Sequence, residues 1–105
     1  MGFDQYHEPP DELGDDARTF ARMIASLQEE AEAIGWYEQR MALETDEQAK
    51  SIMEHAQREE FLHFAMDFEF LSRRKEKWRV ALQKILFTEG DIVERAEQAE
   101  DAVED

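Results

Sequence analysis

Glu60 and His63, three residues apart, and a lone Glu30 one helix earlier are the side chains of this sequence best suited to hold a metal ion. Helical two-metal carboxylate centres take one Glu from each of two helices and a Glu-x-x-His from each of two others. This chain carries one Glu and one Glu-x-x-His, which is half of that donor set. A complete centre is therefore expected to need two copies. Carboxylates with one imidazole and no sulfur suit iron or manganese, and zinc would bind them too. There is no Cys, which removes disulfides, zinc–thiolate sites and thiol catalysis.

The elements that must position these groups are legible as helical periodicity. After a Pro-rich arm and Gly14, Asp15-Asp16 mark a helix start, where acids suit the positive end of the helix. Met23, Leu27, Glu30, Ile34, Tyr37 and Met41 then advance by alternating steps of four and three, with Phe20 and Ile24 widening the seam. The spacing predicts a helix from about Asp15 to about Leu43. Thr45-Asp46-Glu47-Gln48 reads as a capping box, with Thr45 and Gln48 satisfying each other's backbone donors. A second seam follows: Ala49, Met53, Ala56, Glu60, His63, Asp67 and Phe70. The short linker implies an antiparallel hairpin. Arg73-Arg74-Lys75 suits the negative end of the second helix. A shorter amphipathic segment, Trp78 to Phe87, is expected to be helical and to break at Gly90, and residues 91–105 are either a solvent-facing helix or disordered. The organisation is an arm (1–14), a helical-hairpin domain with a short third helix (15–90) and an acidic tail (91–105).

Glu30, Glu60 and His63 thus occupy seam positions among apolar residues. Unpaired ionisable groups there are costly, and a bound cation partners all three at once. The same residues are also compatible with a Glu–His hydrogen-bonded pair, or with a seam one residue off that leaves Glu30 and Glu60 facing water.

Composition narrows the function classes. With 105 residues the chain is one small domain, and association is a route to a larger core. Its net charge of −15, from 27 acids against 12 bases, repels phosphate backbones and attracts cations, so nucleic acid is not an expected partner. Arg73, Arg74, Lys75, Lys77, Arg79 and Lys84 cluster with Glu76 as their only neighbouring acid, whereas Asp91–Asp105 holds seven acids and Arg95 alone as a base. No run is apolar and long enough to span a membrane. The start MGFDQYHEPP has no secretory pattern, so a cytoplasmic location is expected.

Three stretches resemble the encapsulated ferritins: Glu29 to Arg40 (EEAEAIGWYEQR), Arg58 to His63 (REEFLH) and Leu86 to Gly90 (LFTEG), joined by His7-Glu8-Pro9. The resemblance implies an all-α fold: an antiparallel two-helix hairpin plus a short C-terminal helix, dimerising into a ferritin-like four-helix bundle. Dimers would assemble into a ring-shaped decamer. It also implies a di-iron ferroxidase centre shared between two chains, with ligands matching Glu30, Glu60 and His63 and with Trp36 and Tyr37 beside it, Tyr37 among the catalytic residues. A flanking site where metal enters matches Glu29 and Glu32. An outer cation site matches His55 and Glu59, but the further carboxylate expected there is Leu62. Read from the residues alone, His55 and Glu59 are an exposed pair, His7 a solvated or inter-subunit contact, and Trp36 and Trp78 packing residues. Such proteins work inside encapsulin shells. The tail Glu100-Asp101-Ala102-Val103-Glu104-Asp105 does not resemble their Gly/Leu-rich targeting peptide, so either a further segment carries the address or loading works differently.

The expectation is a ferroxidase that oxidises Fe(II) at a di-iron site between two chains and supplies iron for mineral storage in an encapsulin compartment. The alternatives are a non-catalytic acidic assembly or metal-buffering module, and a rubrerythrin-like di-iron protein that reduces peroxide.

Overall fold

The computed structural model describes residues 5–104. Their order is a 3-10 turn (Pro10–Glu12) and four helices: α1 (Asp15–Leu43), α2 (Glu47–Ser72), α3 (Glu76–Ile85) and α4 (Ile92–Glu104). The architecture is all-α among the described residues, and none of their helices is long and apolar enough to cross a membrane. Two compact units divide between Glu69 and Phe70, inside the last turn of α2.

In the first unit, α1 starts at the expected place. Gly14 supplies the carbonyl that accepts the Arg18 N–H at 3.1 Å, and Asp15 and Asp16 occupy the first turn. Pro10 opens the 3-10 turn ahead of α1; Arg18 Nε donates to the Pro10 carbonyl at 2.8 Å and Arg18 Nη2 donates to it as well. The cap of α2 differs from the expected Thr45–Gln48 box. Asp46 Oδ1 accepts the Ala49 N–H at 2.8 Å, and the Asp46 N–H is itself held by Glu44 Oε2 at 3.0 Å. A charged carboxylate one residue later takes the capping role from the Thr45 hydroxyl.

The hairpin is tied by Gln57, a buried polar residue on α2 with 8% of its surface exposed. Its Nε2 donates to the Ile34 carbonyl at 3.2 Å and to Glu38 Oε1 at 3.0 Å. Glu30, earlier on α1, meets Asp67, later on α2, so the two helices run antiparallel. The seam residues Met23, Leu27, Ile34, Tyr37, Met53 and Ala56 are only half-buried, and Met41 and Gln57 alone are buried among the unit's described residues. A second face of α2, with Ile52, Leu62 and Met66 at helical spacing around His55 and Glu59, is open.

In the second unit α3 and α4 pack together, and Leu71, Ser72 and Ala99 are buried. Arg74 Nη1 donates to the Phe70 carbonyl at 3.2 Å while its guanidinium lies 3.6 Å from the Phe70 ring centroid, which satisfies the negative end of α2 with a cation. The third helix stops at Ile85, short of the expected Phe87. Leu86 turns extended, Phe87 takes a left-handed φ of 59° and the Thr88 hydroxyl caps the Ile85 carbonyl at 2.6 Å. Residues 92–104 are helical and packed on α3. Asp91 Oδ2 accepts the Glu94 N–H at 3.0 Å, and the covered stripe is Ala96, Ala99, Ala102 and Val103, while Ile92 and Val93 stay exposed.

Replacing the Gln57 amide tests the tie. Gln57→Glu sets an acceptor against Glu38 and a carbonyl, so urea unfolding should show a loss of about 2 kcal/mol, against about 1 kcal/mol for Gln57→Ala. Equal stability of all three proteins would show that the amide contacts do not hold the helices.

Candidate metal centre

Glu30 lies on α1 between Leu27 and Ile34, and all three are half-buried. On α2 the steps of three and four from Glu60 to His63 to Asp67 stack these side chains on one face, over successive turns. Glu60 Oε1 stands 3.1 Å from His63 Nδ1, with 21% of the Glu60 side chain and 46% of the His63 side chain exposed. The local Glu–His pair that the sequence allowed therefore forms, and it orients the imidazole. Glu30 and Glu60 are both half-buried, so neither is turned wholly to water, whereas His63 on the same stripe is exposed.

The pair leaves Glu30 unaccounted for. Burial, then the hydrogen bond and charge of Asp67, then the charge of Glu60, push the Glu30 carboxyl up to about 7, while His63 pulls it the other way. Glu30 Oε2 and Asp67 Oδ2 are buried and lack a hydrogen-bond donor. Two ionised carboxylates are acceptors only, so a hydrogen bond between them exists only when one holds a proton. That is the electrostatic signature of a place that suits a cation: hard, anionic oxygen atoms, removed from water, facing each other across two helices. Asp67 is the residue that the Glu-x-x-His pattern passes over. Its signal was present all the same, an acid on the seam one turn beyond His63.

The remaining candidates are spread along the hairpin. Tyr37 is seven residues beyond Glu30 on α1, about 10 Å of helical rise, and its ring lies under the Arg40 guanidinium at 5.4 Å. Arg40 also stands 6.0 Å from the Trp36 ring, and Trp36, Gln39 and Arg40 line a shallow cavity of about 200 Å³. Glu29 is exposed and Glu32 half-buried, on either side of Glu30. His55 Nε2 and Glu59 Oε1 are 3.9 Å apart on the exposed face of α2, with the exposed Leu62 next along it. His7 is exposed on the arm. Among the described residues of one chain, no three His, Asp or Glu side chains stand in position to hold one ion.

Residues 5–89 match the model of the EncFtn-like family. The chain belongs to the encapsulated ferritins. It is 45% identical over 95 residues to a ferritin-like protein of Thermotoga maritima, covering 90% of this chain and 83% of the relative. It is 41% identical, also over 95 residues, to an encapsulated ferritin-like protein of Rhodospirillum rubrum, covering 89% of this chain and 68% of the relative. The fold is similar to the crystal structure of a Nitrosomonas europaea protein, with a TM-score of 0.81 and 39% identity over 85% of this chain and 98% of that one. An iron-related, ferritin-like role goes with membership of the encapsulated ferritins.

The raised Glu30 pKa has a consequence for the metal-free protein. An acid that holds its proton more tightly when folded favours folding less as it ionises, because the native state then binds more protons than the unfolded chain. This contribution is absent below the ordinary value of 4.5, opposes folding increasingly as pH rises, and is complete above about 7. Chelator-treated Glu30→Gln should therefore melt above the wild type at pH values over about 7 and converge with it below 4.5. Parallel melting curves across that range would show that Glu30 is not strained by burial.

Proposed function

We propose that this encapsulated ferritin is a ferroxidase, oxidising Fe(II) to Fe(III) at a di-iron site formed between two chains. Glu30, Glu60 and His63 of each chain hold the substrate iron. The observation that carries this reading is the half-buried Glu30, its Oε2 shielded from water without a hydrogen-bond donor, within electrostatic reach of the Glu60–His63 pair on the facing helix.

Each Fe(II) gives up one electron to dioxygen, and hard carboxylate oxygens favour the more highly charged product. Glu60, through its contact to Nδ1, holds the His63 ring in one orientation, and Nε2 is the ring nitrogen that remains. Burial around Glu30 limits water and strengthens its attraction for a cation. Glu29 and Glu32 flank Glu30 and, in a chain of net charge −15, draw cations towards the seam. Tyr37 serves beside the centre. His55 and Glu59 are a peripheral cation contact at most, because Leu62 supplies no carboxylate.

Self-association completes the site. The half-buried seam and the open Ile52–Leu62–Met66 face both leave apolar surface for a second copy to cover, which supports a dimer and then a ring of five dimers. The Fe(III) product passes to mineral storage within an encapsulin shell. The relative in Rhodospirillum rubrum bears the name of an encapsulated protein, and this supports the shell as partner and the compartment as location.

Iron oxidation, followed optically after adding Fe(II) to the aerobic metal-free protein, tests the chemistry. Glu30→Ala, Glu60→Ala and His63→Ala should each slow it at least about tenfold, the loss typical even of groups that merely hold a ligand in place. Glu29→Gln combined with Glu32→Gln should lower the initial rate at low salt and leave the iron stoichiometry intact. Wild-type rates in all three alanine variants would place the activity elsewhere, and a wild type that oxidises no iron would favour the non-catalytic module.

Native mass spectrometry tests the sharing. Fe(II) should shift the population towards paired chains, because only the assembled form binds it tightly. A single chain that binds two irons tightly overturns the shared site.

A further inference from the structure

Asp67 has no part in the Glu-x-x-His pattern, yet its carboxyl lies within hydrogen-bonding reach of the Glu30 carboxyl. Three observations set it apart from the other acids of the hairpin. It lies on the same α2 face as Glu60 and His63, four residues beyond the latter. It meets Glu30 from the opposite helix, so the two carboxyls converge from different elements. Its Oδ2 is buried without a donor, as is Oε2 of Glu30.

A surface acid explains none of this. An aspartate that served only solubility would turn its oxygens to water, and one that served packing would find an N–H or a basic group. A proton shared with Glu30 relieves the pair only in part, leaving buried lone pairs without a partner. A divalent cation satisfies both carboxylates together, and oxygen donors of this kind are what a hard cation takes.

We propose that Asp67 is a further iron-facing ligand of the centre, so that each chain offers three carboxylates and one imidazole from two helices. The proposal rests on the reading of Glu30, Glu60 and His63 as the iron site and adds a residue to it. Within one chain the four groups form two pairs, Glu60 with His63 and Glu30 with Asp67. Side-chain rotation, together with the second copy's set, brings them onto the ions. Asp67 strengthens cation binding by adding a negative charge where water is scarce, and it fixes the Glu30 carboxyl from the far side.

Co(II) is a suitable probe, because it resists oxidation by air under these conditions and its visible bands report the donor set. Titration of the full-length, metal-free protein measures affinity and band shape together. Asp67→Asn keeps the size and shape of the side chain while removing its charge, and circular dichroism checks that helix content is retained. The variant should bind Co(II) about 10- to 100-fold more weakly, with altered visible bands, and Asp67→Glu should recover part of the affinity. Unchanged affinity and bands in Asp67→Asn, with binding lost in Glu30→Gln and Glu60→Gln, would overturn the role of Asp67 and leave the iron site standing. Unchanged binding in Glu30→Gln and Glu60→Gln as well would overturn the site itself.

Discussion

The side-chain amide of Gln57 sets the register on which the facing acids Glu30, Glu60 and Asp67 depend. By donating to the Ile34 carbonyl and to Glu38, it fixes one point of α2 against one stretch of α1. Antiparallel helices then bring residues later on α2 beside residues earlier on α1, and Glu60, His63 and Asp67 arrive beside Glu30. A slip of one helical turn moves the partners about 5 Å apart, enough to separate carboxylates that now act on each other. The amide also works where apolar contact would not. Half-buried Met, Leu and Ala side chains slide past one another at small cost, whereas a directed donor with two acceptors has one best position.

That register sets two acids against each other, and the chain bears the cost. A protein of this length with little enclosed core has small reserves of stability. Burying Glu30 beside Asp67 draws on those reserves in the metal-free state. On the proposed reading, cation and second copy give back what the acids take, so that binding, association and folding become linked through one pair of carboxylates. The same pair would be a poor choice for a protein whose task was only to be a stable bundle.

Much of this was legible in the sequence, and the failures share a cause. Steps of three and four placed α1, α2 and the half-buried positions of Glu30 and Glu60, because hydrophobic periodicity is a local property that tertiary contacts seldom override in long helices, whereas His63 on the same stripe is exposed. Asp67 was on the same seam but fell outside the pattern; its importance comes from what faces it on α1, which spacing along α2 does not report. The cap of α2 went to Asp46 rather than Thr45 because two adjacent residues were competent, and Glu44 settles the choice by holding the Asp46 N–H. The end of α3 came early because Thr88 reaches back to the Ile85 carbonyl. Residues 92–104 were ambiguous since their contacting stripe is alanine, which carries little hydrophobic signal, while Ile92 and Val93 point outward.

Chance has given the two compact units one indole each: Trp36 lies in the first and Trp78 in the second. Trp36 is exposed and sits beside Arg40, whereas Trp78 is half-buried. Their emission spectra should differ accordingly, the exposed ring shifted to longer wavelength. Single-tryptophan forms of the protein therefore give separate optical views of its two parts. They make it possible to ask whether the hairpin and the α3–α4 pair melt as one body or in sequence.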